Sequence, residues 1–580
     1  MNERLSIKKI KGKVYYYLQK SWREKIEAGG GGKTKGTGKS RTRTESIYLG
    51  TEEIIVELIK QSLKSRKPAE IRHREFGFVA AVYQTAIEIG LVDLLKEYIT
   101  GSRYGVERWL YFLLPIINRL QHATSKEQMG EWVAKTILPD LLGFDARRLS
   151  SNSFWYATED LISEKELRKR RAEKAELKDD LFAGIDNKVF SAIEERLFLN
   201  IKEQFGLSSD ALIYDTTNFF TYIEEPVRSQ LARNGDNKAL QHHLKQVGLA
   251  VCVDKEWGIP LFHRLYRGNS QDVKTFSGVV SELLDQMKRG FNEIENLVLI
   301  LDKGNNSEEN FQKLQGKVKW VGSLVLSNFA DLAGLSLESY TGKWKDSNYH
   351  CLTREVMGVN CALVLTYNAC LARKQEHTLQ QGIARLKEQI QQKLDQYKRR
   401  PKEITEGITT LLDQSHYGKY IRPIYQDGNL IFEETKAIVE KRKRFGKNLL
   451  FTNELAASAD WVITQYHAKN KVEDGFKLLK NLELICWQPA RHWTDSKIRA
   501  FGFCAIMSLV LIRVMELKAV QAELRMSPAL LKQELSDIRE LILIYEQHGV
   551  SRQISSRSSV QQQLFNLFDL GKVAEALAIG

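Results

Sequence analysis

The stretch "ALIYDTTNFF", residues 211–220, decides how the chain is read. Ala211, Leu212, Ile213 and Tyr214 have the composition of a short buried strand, and that strand delivers a carboxylate, Asp215, followed by Thr216, Thr217 and Asn218. Withdrawing a carboxylate from water costs several kcal/mol unless a partner compensates it. A second apolar run, "NLVLILD" (296–302), ends the same way, in Asp302. A continuous apolar run is expected of a central strand buried on both faces. If the two strands are parallel neighbours, Asp215 and Asp302 approach each other. Neighbouring carboxylates repel, and one keeps its proton unless a cation sits between them. Hard divalent ions prefer carboxylate oxygens, so Mg²⁺ shared by the two aspartates is the expected compensation.

The segments around these strands give an order. "QVGLAVCVD" (246–254) and "GIPLFHRLY" (258–266) read as antiparallel partners about a turn at Lys255 and Glu256. "SQDVKTFSGVVSELLDQMK" has helical spacing with Ser270 as its cap, "SEENFQKLQ" is a short helix capped by Ser307, and "VKWVGSLVLSN" is a fifth strand. The order β-β-β-α-β-α-β is that of the ribonuclease-H-like fold, an α/β core with a mixed sheet. Other mixed α/β folds share parts of it.

The rest of the 580 residues suggests several domains. Lys and Arg number 86 against 72 Asp and Glu, a net charge of +14, which favours a polyanionic partner, most often nucleic acid. Six scattered cysteines with no CxxC pair suggest neither a zinc site nor a disulfide framework, and a reducing cytosol fits. "MNERLSIKKIKGK" has no apolar core and is no secretory signal. "FGFCAIMSLVLI" (501–512) is shorter than the ~20 residues a bilayer requires and reads as a buried helix. Residues 1–50 read as a basic β-ribbon. The "GTGKS" within them lacks the earlier glycine, the preceding strand and the following helix of a phosphate loop. A basic loop is the better reading, and Lys33, Lys35, Lys39, Arg41 and Arg43 are candidates for DNA phosphate contacts.

Residues 51–205 read as a helical, DNA-binding region, 206–329 as the first part of the core, and 330–450 as an inserted domain. That insertion has a strand "VNCALVLTY", further strands about an Asp427-Gly428 turn, and a long helix. The apolar stripe of this helix is Leu379, Ile383, Leu386, Ile390, Leu394 and Tyr397. Residues 451–520 return to the core with a strand "NLLFTN" and a helix over 461–481, and everything from 494 on, including a 521–580 C-terminal region, reads as helical.

A third metal ligand is expected from a later element, and the helix 461–481 offers a candidate. Tyr466, Glu473 and Lys480 recur every seven residues and so return to nearly one face. Lys469 and Lys477 flank Glu473 on that face. By spacing alone these are ordinary Lys–Glu pairs on a solvated helix. "YHAKNKVEDGFKLLK" nevertheless resembles the Tyr-x2-Arg-x3-Glu-x6-Lys signature of hairpin-forming DDE transposases, the insertion-sequence-four superfamily. Tyr466, Glu473 and Lys480 match it. Lys469 takes the arginine's place, keeping the charge and losing the bidentate fork. "LIYDTTNFF", "GIPLFHRLYRGNSQD", "LILDKGNNSEEN" and "CWQPARHWTDSKIRAF" resemble that family's other segments in the family's order. "VYYYLQKSWR…IYLG" and "RLQHATSKEQMGEW" are similar to its sixteen-thirty-four branch.

The resemblance implies a transposase in which two Mg²⁺ ions, replaceable by Mn²⁺, are held by Asp215, Asp302 and Glu473. It implies cut-and-paste chemistry: cleavage of insertion-sequence ends, a hairpin intermediate and joining to target DNA. Tyr466, Lys469 and Lys480 would hold phosphates near the scissile bond, with no covalent protein–DNA link. Implied partners are double-stranded DNA with terminal inverted repeats, target DNA and a second copy of the chain in a synaptic homodimer, in the bacterial cytosol with no membrane. The family's β-rich insertion helps form the hairpin and commonly places a Trp against a flipped base. Trp344 and Trp320 are candidates here, with a plain core role competing. A metal-dependent nuclease of the same fold and an inactive or repurposed DNA-binding relative are the alternatives.

Overall fold

A computed structural model describes residues 2–25, 40–65, 67–159, 161, 164–173, 180–184, 188–207, 210–223, 229–235, 241–291, 294–396, 401–426, 429–487, 492, 494–546 and 549–579. At its centre is one large mixed sheet. Its strands run, in spatial order, Pro260–Arg267, Lys245–Asp254, Ala211–Thr221, Val298–Leu301, Lys319–Leu324, Lys447–Thr452, Val359–Tyr367, Ser347–Val356 and Gly342–Trp344, with the two-residue strand Arg233–Asn234 beside Lys245–Asp254. The first three are each antiparallel to the next, and the two strands after them join parallel to the third. A mixed sheet with helices packed on it fits a ribonuclease-H-like core. The central strand Val298–Leu301 is buried throughout, as a strand covered on both faces must be.

Two expectations about this core change. The strand through Asp215 continues to Thr221, because residues 216–221 keep pairing with Lys245–Ala250 after the parallel neighbour has stopped at Leu301. Ser270 does not cap the next helix. Gln271 takes that position without a side-chain bond, and the helix runs Asp272–Gly290. Ser307 does cap Glu308–Leu314, accepting from the Asn310 amide.

The insertion is only partly separate. Lys447–Thr452 lies between Lys319–Leu324 and Val359–Tyr367, so three strands of the insertion continue the core sheet. The remainder forms a small second core. Leu379, Ile383, Leu386, Ile390 and Leu394, on the long helix Ala369–Gln396, pack with Tyr420, Ile421 and Ile438. Tyr397, Asp427 and Gly428 lie outside the described residues. The hairpin strands flanking that turn, Ile421–Gln426 and Asn429–Glu434, are present.

The terminal regions also differ from an all-helical reading. Glu70–Glu75, Arg539–Tyr545 and Gly549–Ile554 form a three-stranded antiparallel sheet. Glu540 is fully buried in it, paired with Arg74 at 2.7 Å and Arg552 at 2.5 Å on its two neighbours. These charges resemble a solvated helix face along the chain and meet only across strands. The N-terminal ribbon is a three-stranded sheet, Asn2–Ile10, Lys13–Lys25 and Ser40–Thr51.

The helix Asp495–Gln521 runs through the core. It is long and apolar enough to cross a membrane, but 94% of its apolar window is buried inside the protein. Its first residue, Asp495, is fully buried and accepts from Ser229 Oγ, the Gln230 and Leu231 amides, and Arg171 at 2.6 Å. This one carboxylate ties the helix to the edge of the sheet and to the helix Glu164–Glu173. Asp495→Ala leaves the Arg171 guanidinium without its carboxylate and the Gln230 amide without its acceptor. It is expected to cost about 3 kcal/mol or more, seen as a lowered unfolding temperature, with Asp495→Asn losing less.

Candidate active site

Register builds the site. Leu301 lies opposite Tyr214 on the parallel neighbour, so Asp302 and Asp215 are the next residues on adjacent strands. Chain connections diverge from this pair of strands in opposite directions across the sheet, and the crevice beyond such carboxyl ends is where α/β sheets bind ligands.

Asp215 is the strained member. Burial pushes its carboxyl up to about 7. The Lys469 ammonium and the Thr216 amide pull it back, while the Asp302 and Asp272 carboxylates push it further up. The Thr216 amide donates to Asp215 Oδ1 at 2.8 Å, and the Thr216 hydroxyl donates to Asp272 Oδ1 at 2.8 Å. Asp272 is therefore a fourth carboxylate beside the pair, which sequence reading did not assign. Its signal was present in the Gly-Asn…Asp segment, where it was read only as part of a helix start. The loop after Asp302 comes close as well: a Cβ at Gly304 would stand 3.0 Å from Asp272 Oδ2, which favours glycine there.

The helix expected over 461–481 is two helices, Ala459–His467 and Asn470–Lys480. At the join the backbone bonds tighten from i−4 to i−3, with the Lys469, Lys471 and Val472 amides bonding the Tyr466, Ala468 and Lys469 carbonyls. Tyr466 and Glu473 therefore do not share one continuous helix face. The break carries Lys469 to the carboxylates: its ammonium lies 3.0 Å from Asp302 Oδ1 and 3.4 Å from Glu473 Oε1. Burial opposes charge on Lys469, yet the Asp215 and Asp302 carboxylates hold its pKa above the ordinary lysine value.

Tyr466 donates to Ser323 Oγ at 2.8 Å, and burial raises its phenol pKa. Lys480 donates to Thr217 Oγ1 at 2.9 Å and lies over the Phe219 ring. Lys477 pairs with Asp474 at 2.8 Å, with the Glu473 charge adding to its stabilisation. A cleft of about 740 Å³ opens from Asp302, Tyr466 and Lys469 toward the insertion, and Lys303, Lys374, Lys441, Arg444 and Lys447 line it. Of the two tryptophans, Trp320 is fully buried against Phe311, a core role. Trp344 is half-buried and stacks on His467 beside Tyr466, centroids 5.0 Å apart. Lys33, Lys35 and Lys39 lie outside the described residues. Arg41 and Arg43 are on the ribbon strand Ser40–Thr51, which pairs with Lys13–Lys25.

Among the described residues, no three His, Cys, Asp or Glu side chains close on one point as a metal cage. Glu473 reaches the aspartates through the Lys469 ammonium and remains half-exposed. The donor set still fits a divalent ion. Carboxylate oxygens of Asp302 and Glu473, hard ligands of the kind such ions prefer, already share one cation, the Lys469 ammonium, with Asp215 on the adjacent strand.

Asp215 has a folded-state pKa above its unfolded value, so the folded state binds the extra proton, and stability falls as pH rises between about 4 and 7. In metal-free protein, the unfolding temperature of the wild type is expected to drop more from pH 5 to pH 8 than that of Asp215→Asn.

Comparison with known proteins bears on this geometry. Residues 225–506 match the family model described as "Transposase DDE domain". No curated protein matches the chain. Among solved structures, a cryo-EM structure of a piggyBac transposase synaptic complex with hairpin DNA is similar at 10% identity and a TM-score of 0.37, covering 80% of this chain and 77% of that one. Asp302 and Glu473 fall inside the matched segment and Asp215 just ahead of it. Over residues 225–506 the chain is thus similar to transposase DDE domains, the domains that serve DNA transposition and recombination.

Proposed function

We propose that the protein is a DNA transposase that cuts insertion-sequence ends through a hairpin intermediate and joins them to target DNA, with Asp215, Asp302 and Glu473 as its metal ligands. The observation that carries this reading is the meeting of Asp215 and Asp302 on adjacent strands with Lys469 and Glu473 brought over them. Bound Mg²⁺, or Mn²⁺ in its place, would supply a Lewis acid for the oxygens that attack and leave phosphorus.

The chain's own groups then have distinct tasks. The basic face of the insertion holds the DNA backbone across the cleft. Tyr466, neutral and oriented by Ser323, positions a phosphate and is not the nucleophile. Lys480, fixed by Thr217, balances phosphate charge near Asp215. Lys469 is held by two carboxylates and turns to phosphate when these acquire another cation. Trp344, half-buried at the cleft's helix, is the better placed of the two tryptophans to meet an unpaired base. The reading includes a synaptic homodimer that pairs two inverted repeats in the bacterial cytosol.

The test is a linear DNA carrying the inverted repeats that flank the gene, incubated with protein and Mg²⁺ and resolved on a denaturing gel. End cleavage with hairpins and joined products is expected for the wild type, and loss to background for Asp302→Ala. Nicks without hairpins or joining point to a nuclease of the same fold. Repeat-specific binding without cleavage in Mg²⁺ or Mn²⁺ overturns the enzymatic reading in favour of a DNA-binding relative.

A further inference from the structure

A second cavity, of about 530 Å³, lies away from the carboxylates, between the helices Leu110–Gln121, Ser151–Glu159 and Asp495–Gln521. Its walls combine flat aromatic rings, among them Phe154, Trp155 and Phe501, with cations. Arg119 donates to the Cys486 carbonyl at 2.5 Å and lies over Phe501, 4.2 Å from its centroid. Lys126 and Lys497 both lie over Trp155. His492 tilts against Phe501, and its buried Nδ1 has no hydrogen-bond partner.

Among the described residues that line this cavity, the charged side chains are all cationic. Among the described residues, neither Arg119 nor Lys126 has a carboxylate partner. Burial pushes Arg119 down to about 10 and Lys126 down to about 8, the neighbouring cations adding to the effect on Lys126. Burial likewise holds His492 well below the ordinary histidine value, with Lys126, Arg119 and Lys497 pushing the same way. Buried charges are normally paired, and Arg119 and Lys126 beside the unused His492 ring nitrogen indicate a missing anion. The cavity is within the range of small-molecule sites. Its aromatic walls suit a flat ring joined to the anion, since base–aromatic stacking and Arg or Lys on phosphate are the usual components of nucleotide binding.

We propose that this cavity binds a nucleotide, its phosphate held by Arg119 and Lys126 and its base against the aromatic wall. The nucleotide comes either from solution or from an unpaired end of bound DNA. The site touches the catalytic region through one wall: Cys486, which accepts from Arg119, precedes Trp487, whose amide bonds Leu479 on the Glu473 helix and whose ring stacks on Phe219 of the Asp215 strand. Occupancy would fix the chain that leaves the Glu473 helix.

The proposal is tested on the full-length, metal-free protein, independently of cleavage. Equilibrium dialysis is run with radiolabelled deoxyadenosine 5′-monophosphate, with deoxyadenosine and inorganic phosphate as competitors, and in a second arm with a short single-stranded oligonucleotide. Lys126→Met is compared with the wild type and with Lys135→Met, an exposed change of the same charge. Binding of the mononucleotide is expected to weaken about tenfold in Lys126→Met and to be unchanged in Lys135→Met. The ligand-free Lys126→Met protein is expected to unfold at a higher temperature, because an uncompensated buried charge is gone. A selective loss confined to the oligonucleotide identifies the occupant as a nucleotide of DNA. If neither ligand binds, or both bind Lys126→Met and wild type alike, the proposal is overturned.

Discussion

Carboxylate repulsion at the end of two parallel strands is the constraint on which the rest depends. Pairing Leu301 with Tyr214 leaves no freedom in where Asp215 and Asp302 go: hydrogen-bond register places them together, and burial makes that proximity expensive. Something positive has to stand over the strand ends. The chain provides it by breaking a helix. The tightened turns at residues 468–469 lower a lysine onto the aspartates and leave Glu473 on the far side of its ammonium. The continuation of the Asp215 strand to Thr221 supplies Thr216 and Thr217, which hold Asp272 and Lys480 around the same point.

The two cavities carry opposite imbalances. Around Asp215 there are more carboxylates than cations to satisfy them. Between the Leu110–Gln121 and Asp495–Gln521 helices the cations are in excess. The remaining buried charges behave otherwise. Glu540 is clamped between two arginines, Asp495 is saturated with donors, and Glu194 is paired with His263.

How much of this was readable in the chain depends on the range of the interaction. The two Asp-terminated strands and the strand order around them were legible, because a buried strand writes itself as an apolar run. The apolar stripe from Leu379 to Leu394 was legible for the equivalent reason. Missed features share one cause: their partners are distant in sequence. Glu70–Glu75 and Arg539–Tyr545 read as charged helix until Arg74 meets Glu540 across the sheet. The break at Lys469 leaves no mark, since both halves are good helix and no proline or glycine stands between them. Asp272 looked like a helix start, and only the fold brings it to Thr216. Glu473 was named from a family resemblance, since spacing alone gave an ordinary solvated helix there.

The insertion leaves the sheet after Lys319–Leu324 and returns as Lys447–Thr452, its immediate antiparallel neighbour, with Val321 opposite Thr452. Departure and return are thus side by side, and the chain between them closes a loop whose ends the sheet already fixes. Lengthening such a loop costs little, because closure entropy grows only with the logarithm of its length. The cleft's outer wall can therefore vary in size and charge from one descendant to another while the spacing of the aspartates stays untouched. The basic wall of the cleft can change without moving the strand ends that carry Asp215 and Asp302.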